Sequence, residues 1–376
     1  MRKVAVFFGG KSCENEISVL TGVFVCNVCN REKYTVYPVY IHTDGNFYTH
    51  SDFFELESFK NLQLKKCKRV IMEDGALFAL CAKGKRLKRI DSIDVMLCCL
   101  HGGWGEGGGL AALAERNGVA YASPPLAASG MFMDKALTKI VARGLNIPTV
   151  EYVSVQEKEY AARGAFVLKN IAAKLKYPVV IKPAKLGSSI GITLANSEAE
   201  AKAGIETAFA LDDKIVIERY LEDKVDVNCA ACRIKGEICV SPVEQAFGAG
   251  VYSFDEKYMT RRQLDGIDSK LTQRQDSGNL PAELQEKIRT YTKTLYRRME
   301  LTGAVRMDFL VSGGKAYLCE VNTVPGSLAY YLFCERVIDA RNFVDDILEE
   351  ALSAQSTAEK KLPTTGILKK VRGVRK

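Results

Sequence analysis

Four side chains near the C-terminal end of the sequence have types and spacing that suit divalent-metal chemistry. Arg306 and Asp308 stand two residues apart in one strand-like segment, and Glu320 and Asn322 stand two apart in the next. Residues two apart on a strand share a face, so a hairpin with its turn at 312–314 would bring all four together. Two carboxylates and an amide supply oxygen ligands of the kind that Mg²⁺ prefers. Because Mg²⁺ typically completes its coordination with water and phosphate oxygens, the expected ligand of such a site is Mg-ATP. The alternative is a solvated hairpin face, but the flanking apolar residues indicate buried strands.

Upstream features suit the binding of a nucleotide. Lys182 ends an apolar segment, and the loop 185–191 after it is rich in Gly and Ser, so its backbone N–H groups could wrap phosphates. Glu218 ends another apolar strand and could accept a hydrogen bond from an adenine amino group. Alone, such a loop is more often a hairpin and such a glutamate a solvated strand end. Their order before the acidic hairpin favours the nucleotide site.

Residues 3–130 are predicted to form alternating strands and helices, and these are the first elements that must position the groups described above. Apolar runs and glycine-rich turns predict a parallel sheet, and Glu14 and His101 come just beyond its strand ends. Such turns allow close approach of backbone N–H groups. The predicted elements are strands at 4–8, 34–41 and 93–100 and helices beginning at Ser12 and Leu110.

A different pattern follows residue 134. A helix carrying Lys135 and Lys139 comes first. The polar stretch 260–279 has little apolar periodicity, which is typical of a lid or a mobile loop. Further predicted elements are a helix at 162–175, strands at 177–183 and 215–218, and the hairpin strands at 304–311 and 316–321.

Composition excludes several classes of protein. A chain of 376 residues with 47% apolar and 26% charged residues predicts a soluble globular protein of two or three domains. The formal charge is +8, but seven basic residues follow Glu359 and no acid does, so the body is nearly neutral and the end is predicted to be a disordered tail. Binding of nucleic acid through that tail remains an alternative for the tail alone. No apolar run is long enough to cross a membrane, and no signal peptide is recognisable.

The twelve cysteines predict reduced thiols rather than a disulfide scaffold, because disulfide-rich proteins are short secreted chains. Two CxxC pairs occur, at Cys26 and Cys29 and at Cys229 and Cys232. The second lies in a strand pattern, where residues three apart face opposite sides. Zinc binding is therefore disfavoured.

The order of these motifs resembles the ATP-grasp superfamily, and their details resemble the D-alanine:D-alanine ligase family. The resemblance implies an α/β fold, α+β overall, with an N-terminal parallel α/β domain followed by a two-part ATP-grasp fold. The implied domains are 1–130 for substrate binding, 131–225 and 226–355 for the small and large ATP-grasp parts with a mobile loop near 250–280, and a basic disordered tail at 356–376. The matching segments are 9–18, His101-Gly102 with Gly105-Glu106, 133–135, Lys182-Pro183 with 187–191, 218–221, 256–258, Arg306 with Asp308, and 320–326.

What the resemblance implies about activity is specific. It implies an ATP- and Mg²⁺-dependent (or Mn²⁺-dependent) ligase that joins two D-alanines through an acylphosphate, for peptidoglycan precursor synthesis. It further implies a cytoplasmic enzyme, a homodimer, D-alanine as the small-molecule partner, and neither nucleic acid nor membrane as a partner. A carboxylate is a poor acylating group until a phosphoryl group is transferred to it, and a closed lid would protect the acylphosphate from water.

The resemblance also implies roles for individual residues. Glu14 would bind the ammonium of the first amino acid and would form, with Ser188 and Tyr258, a cluster that closes the mobile loop. Arg306 and the N–H of Gly326 would stabilise the tetrahedral oxyanion, and His101 would contact the first substrate. The nucleotide would be held by Lys135, Lys182, Gly187, Ser189, Glu218, Tyr220, Leu221 and Lys257, and the metal by Asp308, Glu320 and Asn322.

The sequence departs from the family pattern at two positions. Gly107 stands where the family usually has Asp, and Tyr331 stands where a Ser usually contacts the carboxylate of the second substrate. The Tyr331 change leaves open a related ligase that joins D-alanine or another amino acid to a different acceptor. A nucleotide-binding regulatory protein without turnover is a further alternative. Retention of Arg306 and Tyr258, which nucleotide binding alone does not need, favours the enzyme.

Overall fold

The computed structural model describes residues 1–81, 84, 86–245, 280–355, 365 and 367. Within them the strands form three sheets. The strands are β1 (Arg2–Gly9), β2 (Tyr34–Ile41), β3 (Phe47–Thr49), β4 (Lys68–Glu73), β5 (Ala76–Cys81), β6 (Arg86–Ser92), β7 (Val95–Cys98), β8 (Ala120–Tyr121), β9 (Tyr152–Gln156), β10 (Val179–Pro183), β11 (Thr193–Ala195), β12 (Lys214–Arg219), β13 (Val225–Ile234), β14 (Glu237–Val240), β15 (Glu244–Gln245), β16 (Val305–Ser312) and β17 (Lys315–Asn322).

Helices cover these sheets. One begins at Leu110 as predicted, whereas two others begin at Asn15 and Glu157 rather than at Ser12 and near residue 162. Short 3-10 segments occur at Ser51–Phe54, Leu64–Lys66, Gly326–Leu332 and Val337–Asp339, and a π-helical turn at Gly105–Gly109. The α-helices are α1 (Asn15–Val28), α2 (Glu57–Lys60), α3 (Leu110–Arg116), α4 (Leu126–Phe132), α5 (Lys135–Gly144), α6 (Glu157–Lys174), α7 (Glu198–Phe209), α8 (Ala282–Arg298) and α9 (Ala340–Ala354). In the described part of the chain, no helix is both long and apolar enough to cross a lipid bilayer.

The first sheet has eight strands in the order β6-β5-β4-β3-β2-β1-β7-β8. Strands β2, β1, β7 and β8 are parallel, as the sequence predicted. The sheet as a whole is mixed, because β3 to β6, which the sequence analysis did not predict, extend it as antiparallel strands. Strands β2 and β3 are joined by residues 42–46 alone. So short a connection allows a hairpin but not the crossover that a parallel pair requires.

The second sheet is antiparallel in the order β11-β10-β12-β9, and helices α6 and α7 pack against it. Its core consists of apolar side chains from both layers, including Val167, Ile171, Ile181, Ile205 and Ile217. Strands β10 and β12 are direct neighbours with Val180 opposite Glu218. Residues at the ends of these two strands therefore lie side by side.

The third sheet has the order β14-β13-β16-β17, with β15 pairing on β13. The predicted hairpin is confirmed: β16 and β17 are antiparallel, with Arg306 opposite Asn322 and Asp308 opposite Glu320. The register shifts after Asp308, and Phe309 pairs with Leu318. Cys319 is therefore the extra residue of a β-bulge, a device that redirects side chains next to a site.

The last helix returns to the first sheet. Phe343, Val344, Ile347 and Leu348 of α9 are buried in the same apolar cluster as the residues of β1 and β7. At its edge the Tyr34 hydroxyl donates a hydrogen bond to Glu349 Oε1 at 2.7 Å. The core of the N-terminal sheet thus includes residues from the far end of the chain. The three boundaries between the four proposed segments stay a prediction.

Candidate active site

Glu14 and His101 lie at the carboxyl edge of the first sheet, beyond β1 and β7. The Ser12 hydroxyl donates to the carbonyl oxygen of His101 at 2.6 Å, and the Glu14 amide donates to Ser12 Oγ at 3.2 Å. Two loops that are far apart in sequence are therefore held together. The strand order accounts for this, since β1 and β7 are direct neighbours and their loops emerge side by side.

The Glu14 carboxylate sits in a narrow space between three residues of other loops. The Ser188 hydroxyl donates a hydrogen bond to Glu14 Oε1. A Cβ atom on Gly187 would stand 2.7 Å from Glu14 Oε2, and one on Gly102 would stand 2.9 Å from the same oxygen. Only glycine can therefore flank this carboxylate, and the Gly-Ser loop after β10 closes directly on the N-terminal sheet. Of the expected cluster of Glu14, Ser188 and Tyr258, the contact between Glu14 and Ser188 is present, and Tyr258 lies outside the described residues.

His101 is buried beside the loop that follows β17. Its Nε2 lies 2.8 Å from Thr21 Oγ1, and that oxygen accepts a hydrogen bond from the Ser327 amide at 3.1 Å. The Thr21 hydrogen is consequently available to His101 Nε2. Burial lowers the pKa of His101 to about 4, although a backbone hydrogen bond to Val324 acts in the opposite direction. The imidazole is thus neutral at physiological pH.

Glu106 joins the same two regions, although sequence reasoning gave it no role. Its Oε2 accepts a hydrogen bond from the Gly102 amide at 2.7 Å, and its Oε1 accepts one from the Val324 amide at 3.3 Å. Burial, followed by the charge of Glu14, raises the pKa of Glu106 to about 7. The signal in the sequence was its place four residues after Gly102 in a glycine-rich turn.

The hairpin groups converge as expected. Arg306 Nε and Nη2 donate to Asp308 Oδ1 and Oδ2 at 2.7 and 2.8 Å, and Asn322 Nδ2 donates to Asp308 Oδ2 at 3.0 Å. Glu320 stands opposite Asp308 in the ladder. Burial opposes the charge of Arg306, but Asp308 raises the pKa of this guanidinium well above its usual value. Arg306 therefore stays charged in a largely buried position.

A buried cluster of lysines surrounds Glu218. Glu218 Oε1 lies 2.8 Å from Lys139 Nζ, and Glu218 Oε2 accepts a hydrogen bond from Lys182 Nζ at 2.7 Å. Burial would raise the pKa of Glu218, but the two ammonium groups outweigh it and lower that pKa to about 2. Lys135 Nζ donates to the Leu186 carbonyl and lies 4.0 Å from Glu320 Oε2. The cluster thus borders the acidic hairpin.

Helix α5 is fixed at its start in a way that places both of its site lysines. Asp134 caps the helix, its Oδ1 accepting from the amides of Ala136 and Leu137, and Lys214 Nζ donates to Asp134 Oδ2 at 2.8 Å. Lys135 and Lys139 are four residues apart and so share one helix face. That face is directed at Glu218 and Glu320.

The bulge at Cys319 brings a thiol into the cluster. Its Sγ lies 3.8 Å from Lys182 Nζ. Burial raises the pKa of this thiol to about 11, so it remains protonated beside the ammonium group. Sequence reasoning placed Cys319 only in an apolar strand, because a bulge is invisible in a period-two pattern.

The remaining predicted residues lie on loops near these groups or outside the described part. Ser189 follows Ser188 in the Gly-Ser loop, and Tyr220 and Leu221 follow β12. Gly326 begins a 3-10 segment, and Tyr331, five residues on, accepts a hydrogen bond from Arg306 Nη1 at 3.2 Å. Lys257 and Tyr258 fall outside the residues that the structure describes, as does the predicted loop 260–279.

Comparison with known proteins identifies the family. The family model described as "D-ala D-ala ligase C-terminus" matches residues 141–350, and the one described as "D-ala D-ala ligase N-terminus" matches residues 3–124. The chain belongs to the D-alanine–D-alanine ligase family. Members of this family use ATP and small-molecule substrates, so the chain is an ATP-dependent ligase, and the expectation of an enzyme is confirmed.

Individual ligases match over nearly their whole length. The D-alanine–D-alanine ligase of Thermosipho africanus is 32% identical over 369 residues, which are 96% of each chain. That of Campylobacter lari is 30% identical over 91% of each chain. The crystal structure of the Helicobacter pylori D-alanine–D-alanine ligase aligns with a TM-score of 0.73 at 27% identity, covering 95% of this chain and 99% of that one.

A ligase with a different printed substrate has a similar fold. The VanG D-Ala:D-Ser ligase of Enterococcus faecalis aligns with a TM-score of 0.74 at 24% identity, covering 93% of this chain and 99% of that one. At that identity the likeness concerns the fold alone. The predicted ATP-grasp arrangement behind an N-terminal α/β domain is confirmed by these neighbours.

Proposed function

We propose that this ligase joins two molecules of D-alanine and converts ATP to ADP and phosphate in doing so. The proposal rests on two groups of side chains, Glu14 and Ser188 on one side and Arg306, Asp308 and Asn322 on the other. Glu106 connects the two sides through the amides of Gly102 and Val324. An amino-acid ammonium group and a developing oxyanion would each find a matched charge in the same cleft.

ATP would lie over the lysine cluster. Lys135 and Lys182 are the cations that we assign to its phosphates, with the backbone of Gly187 and Ser189 beside them. Glu218, Tyr220 and Leu221 would contact the adenine ring. The excess of ammonium groups over carboxylates around Glu218 supports this assignment, since a triphosphate would complete the local charge balance. Lys257 is proposed to cover the γ-phosphate and lies outside the described residues.

A divalent cation, Mg²⁺ or Mn²⁺, would bind at the hairpin. Asp308 and Glu320 face each other in the ladder and Asn322 contacts Asp308, so two carboxylates and an amide present only oxygen ligands. Among the described residues no group of three or more His, Cys, Asp or Glu side chains forms a metal site, which suits an ion that also binds phosphate and water. When bound, the cation would neutralise charge on the phosphates.

The first step is phosphoryl transfer. A carboxylate oxygen of the first D-alanine attacks the γ-phosphorus of ATP, the bond to the β-phosphate oxygen breaks, and an acylphosphate and ADP result. Glu14 holds the ammonium group of this substrate, so that its carboxylate is directed at the phosphates. His101 is neutral and buried, and it borders the same substrate without adding charge.

The second step forms the amide. The neutral amine of the second D-alanine attacks the acylphosphate carbonyl, which gives a tetrahedral oxyanion. Arg306 and the amide of Gly326 stabilise that oxyanion, and its collapse breaks the bond to the phosphate, which leaves. The nitrogen loses one proton in the process. Tyr258 is proposed to help close the loop over this intermediate, which water would otherwise hydrolyse.

A second candidate function differs in the acceptor. Tyr331 occupies the position where the family usually has the serine that contacts the carboxylate of the second substrate, and its hydroxyl is already bonded to Arg306. A ligase that transfers D-alanine, or another amino acid, to a different acceptor would be compatible with this larger side chain. The activity assay below discriminates between the two.

The cellular setting is also proposed. All twelve cysteines are free thiols in the structure, which supports a reducing compartment, and we place the enzyme in the cytoplasm. A homodimer is carried over from the resemblance, and a solution mass near twice 41.5 kDa would support it. We assign no nucleic-acid or membrane partner to it.

Phosphate release in the presence of ATP, Mg²⁺ and single D- or L-amino acids tests the function. Release with D-alanine alone, and a dipeptide of two alanines in the mass spectrum, would support the proposal. Release only with an unlike pair would favour the second candidate. No release with any amino acid, although ATP binds, would contradict both. Addition of EDTA should stop the reaction and excess Mg²⁺ should restore it.

A further inference from the structure

Lys139 is a fully buried cation. Neither the resemblance to the ligase family nor the proposed mechanism assigns it a role. Its side chain has 0% exposure, and its Nζ lies 2.8 Å from Glu218 Oε1. On the other side Nζ stands 5.3 Å from the centre of the Tyr152 ring, over its face. A buried ammonium group is costly unless a charge compensates it, so its presence calls for a reason.

Glu218 is held by ammonium groups from two directions. Lys182 binds one carboxylate oxygen at 2.7 Å and Lys139 lies 2.8 Å from the other. Side-chain exposure is 3% for Glu218 and 9% for Lys182, so the three groups interact where water screens them little. Two positive charges face one negative charge, and the cluster keeps one unit of positive charge in excess.

Without Lys139 this excess would vanish. Glu218 and Lys182 would form a closed pair with no net charge, and the carboxylate would compete directly with an incoming phosphate for Lys182. With Lys139 present, the charge of Glu218 is compensated from the side that faces away from Lys182. Lys182 can then turn its charge toward an anion.

We propose that Lys139 is a positioning residue for nucleotide binding, which neutralises Glu218 so that Lys182 remains available to the phosphates of ATP. The inference rests on the proposed function, in which Lys182 binds phosphate and Glu218 contacts adenine. Lys139 itself is assigned no contact with the nucleotide, and its Nζ faces Glu218 and the Tyr152 ring.

The inference predicts opposite effects for changes within the cluster. Lys139→Met removes the excess charge, so affinity for Mg-ADP should fall at least ~10-fold while affinity for uncharged adenosine changes less than ~3-fold. Glu218→Gln doubles the excess charge and keeps an acceptor oxygen for adenine. Any loss of the adenine contact weakens Mg-ADP and adenosine alike, so the ratio of the affinity for Mg-ADP to that for adenosine should equal or exceed the wild-type ratio.

The double variant Lys139→Met with Glu218→Gln is the decisive comparison. It restores one unit of excess charge, so the ratio of its affinity for Mg-ADP to its affinity for adenosine should return to within ~3-fold of the wild-type ratio. Isothermal titration with Mg-ADP and with adenosine measures all four proteins. Lys287→Met is the matched control, because it removes a lysine from the exposed pair with Glu283, 3.0 Å apart, and should change neither affinity.

The possible results distinguish a failure of this inference from a failure of the proposed function on which it rests. If wild-type protein does not bind Mg-ADP, the proposed function fails first. If it binds and Lys139→Met changes the affinities for Mg-ADP and adenosine equally, Lys139 serves structure only and the inference is wrong. Should Lys139→Met not fold, the wild type, Glu218→Gln and the double variant still decide the question. A ratio of affinities for Mg-ADP and adenosine that is ~10-fold lower in the double variant than in the wild type overturns the inference.

Discussion

Arg306 Nη1 donates a hydrogen bond to the hydroxyl of Tyr331 at 3.2 Å, while Nε and Nη2 of the same guanidinium are both bound to Asp308. The planar group is therefore held from two sides and has one orientation. Pre-organised donors of this kind stabilise a developing oxyanion without reorganisation during the reaction. Tyr331 thus contributes to the position of Arg306.

Tyr331→Phe should weaken use of the second substrate. The variant loses the hydrogen bond to Arg306 but keeps the ring, so kcat/KM for the acceptor should fall about 10-fold, the equivalent of ~1.4 kcal/mol. Initial rates at varied D-alanine concentration measure this, with product masses recorded at each point. Tyr37→Phe is the control, because Tyr37 donates to Asp91 at 2.6 Å in the first sheet. Equal kinetics for both variants would remove Tyr331 from the acceptor site.

Arg306→Ala should separate turnover from nucleotide binding. Loss of an oxyanion-stabilising cation is expected to lower kcat ~10²-fold or more, while Mg-ADP affinity stays within a few-fold. Stopped assays of phosphate and direct titration of Mg-ADP supply the two numbers. Arg116→Ala is the matched control, since Arg116 makes a similar two-oxygen contact with Glu73 at 2.8 and 3.0 Å on the surface. Unchanged kcat would exclude the oxyanion role.

Gly187→Ala should disrupt the contact between the Gly-Ser loop and the N-terminal sheet. The added Cβ would stand 2.7 Å from Glu14 Oε2, so either the loop or the carboxylate must move, and activity should fall at least ~10-fold. Gly144→Ala tests whether any glycine-to-alanine change has this effect. At Gly144 no described atom lies within 4 Å of the added carbon, and the residue ends α5. Full activity of Gly187→Ala would show that activity does not depend on the observed position of the Glu14 carboxylate.

The buried neutral His101 should make stability depend on pH. Its pKa is lowered from 6.5 to about 4 in the fold, so between these values the unfolded chain binds the proton and the folded chain does not. The free energy of unfolding therefore falls as pH drops from 6.5 to 4 and levels off below. The lowered pKa corresponds to about 3 kcal/mol over that range.

Urea unfolding of wild type and His101→Gln at pH 7.5, 5.5 and 4.5 measures this contribution. The difference in unfolding free energy between the two proteins should shrink or reverse toward acid pH, because the variant lacks the titrating group. A difference that is constant with pH would show that His101 titrates alike in the folded and unfolded chains.

Patterns along single elements predicted much of this molecule. The alternation of apolar residues along the sequence predicted the β16–β17 hairpin and the shared face of Arg306 and Asp308. The apolar strand before Lys182 was also recognisable. These features involve residues that are close together in the sequence, so the period-two pattern of a strand is enough to predict them. Motif order then extended the prediction to a family and its fold.

Contacts between sheets could not be predicted in the same way. The meeting of Glu14 with Gly102 and Gly187, and the link from Glu106 to Val324, depend on how two sheets lie against each other. Lys139 looked like an ordinary helix residue, because nothing in its own segment shows that Glu218 lies opposite. Among the strands that were missed, β3 has only three residues, and β6 is largely polar and exposed.

The burial of α9 against β1 and β7 has a consequence for biosynthesis. Phe343, Val344, Ile347 and Leu348 are translated long after the strands that they cover, so the nascent N-terminal sheet leaves the ribosome with part of one apolar face still open to solvent. Completion of that layer waits for nearly the whole polypeptide. A message truncated before codon 340 would therefore yield a product deficient in its earliest-made region as well as its latest.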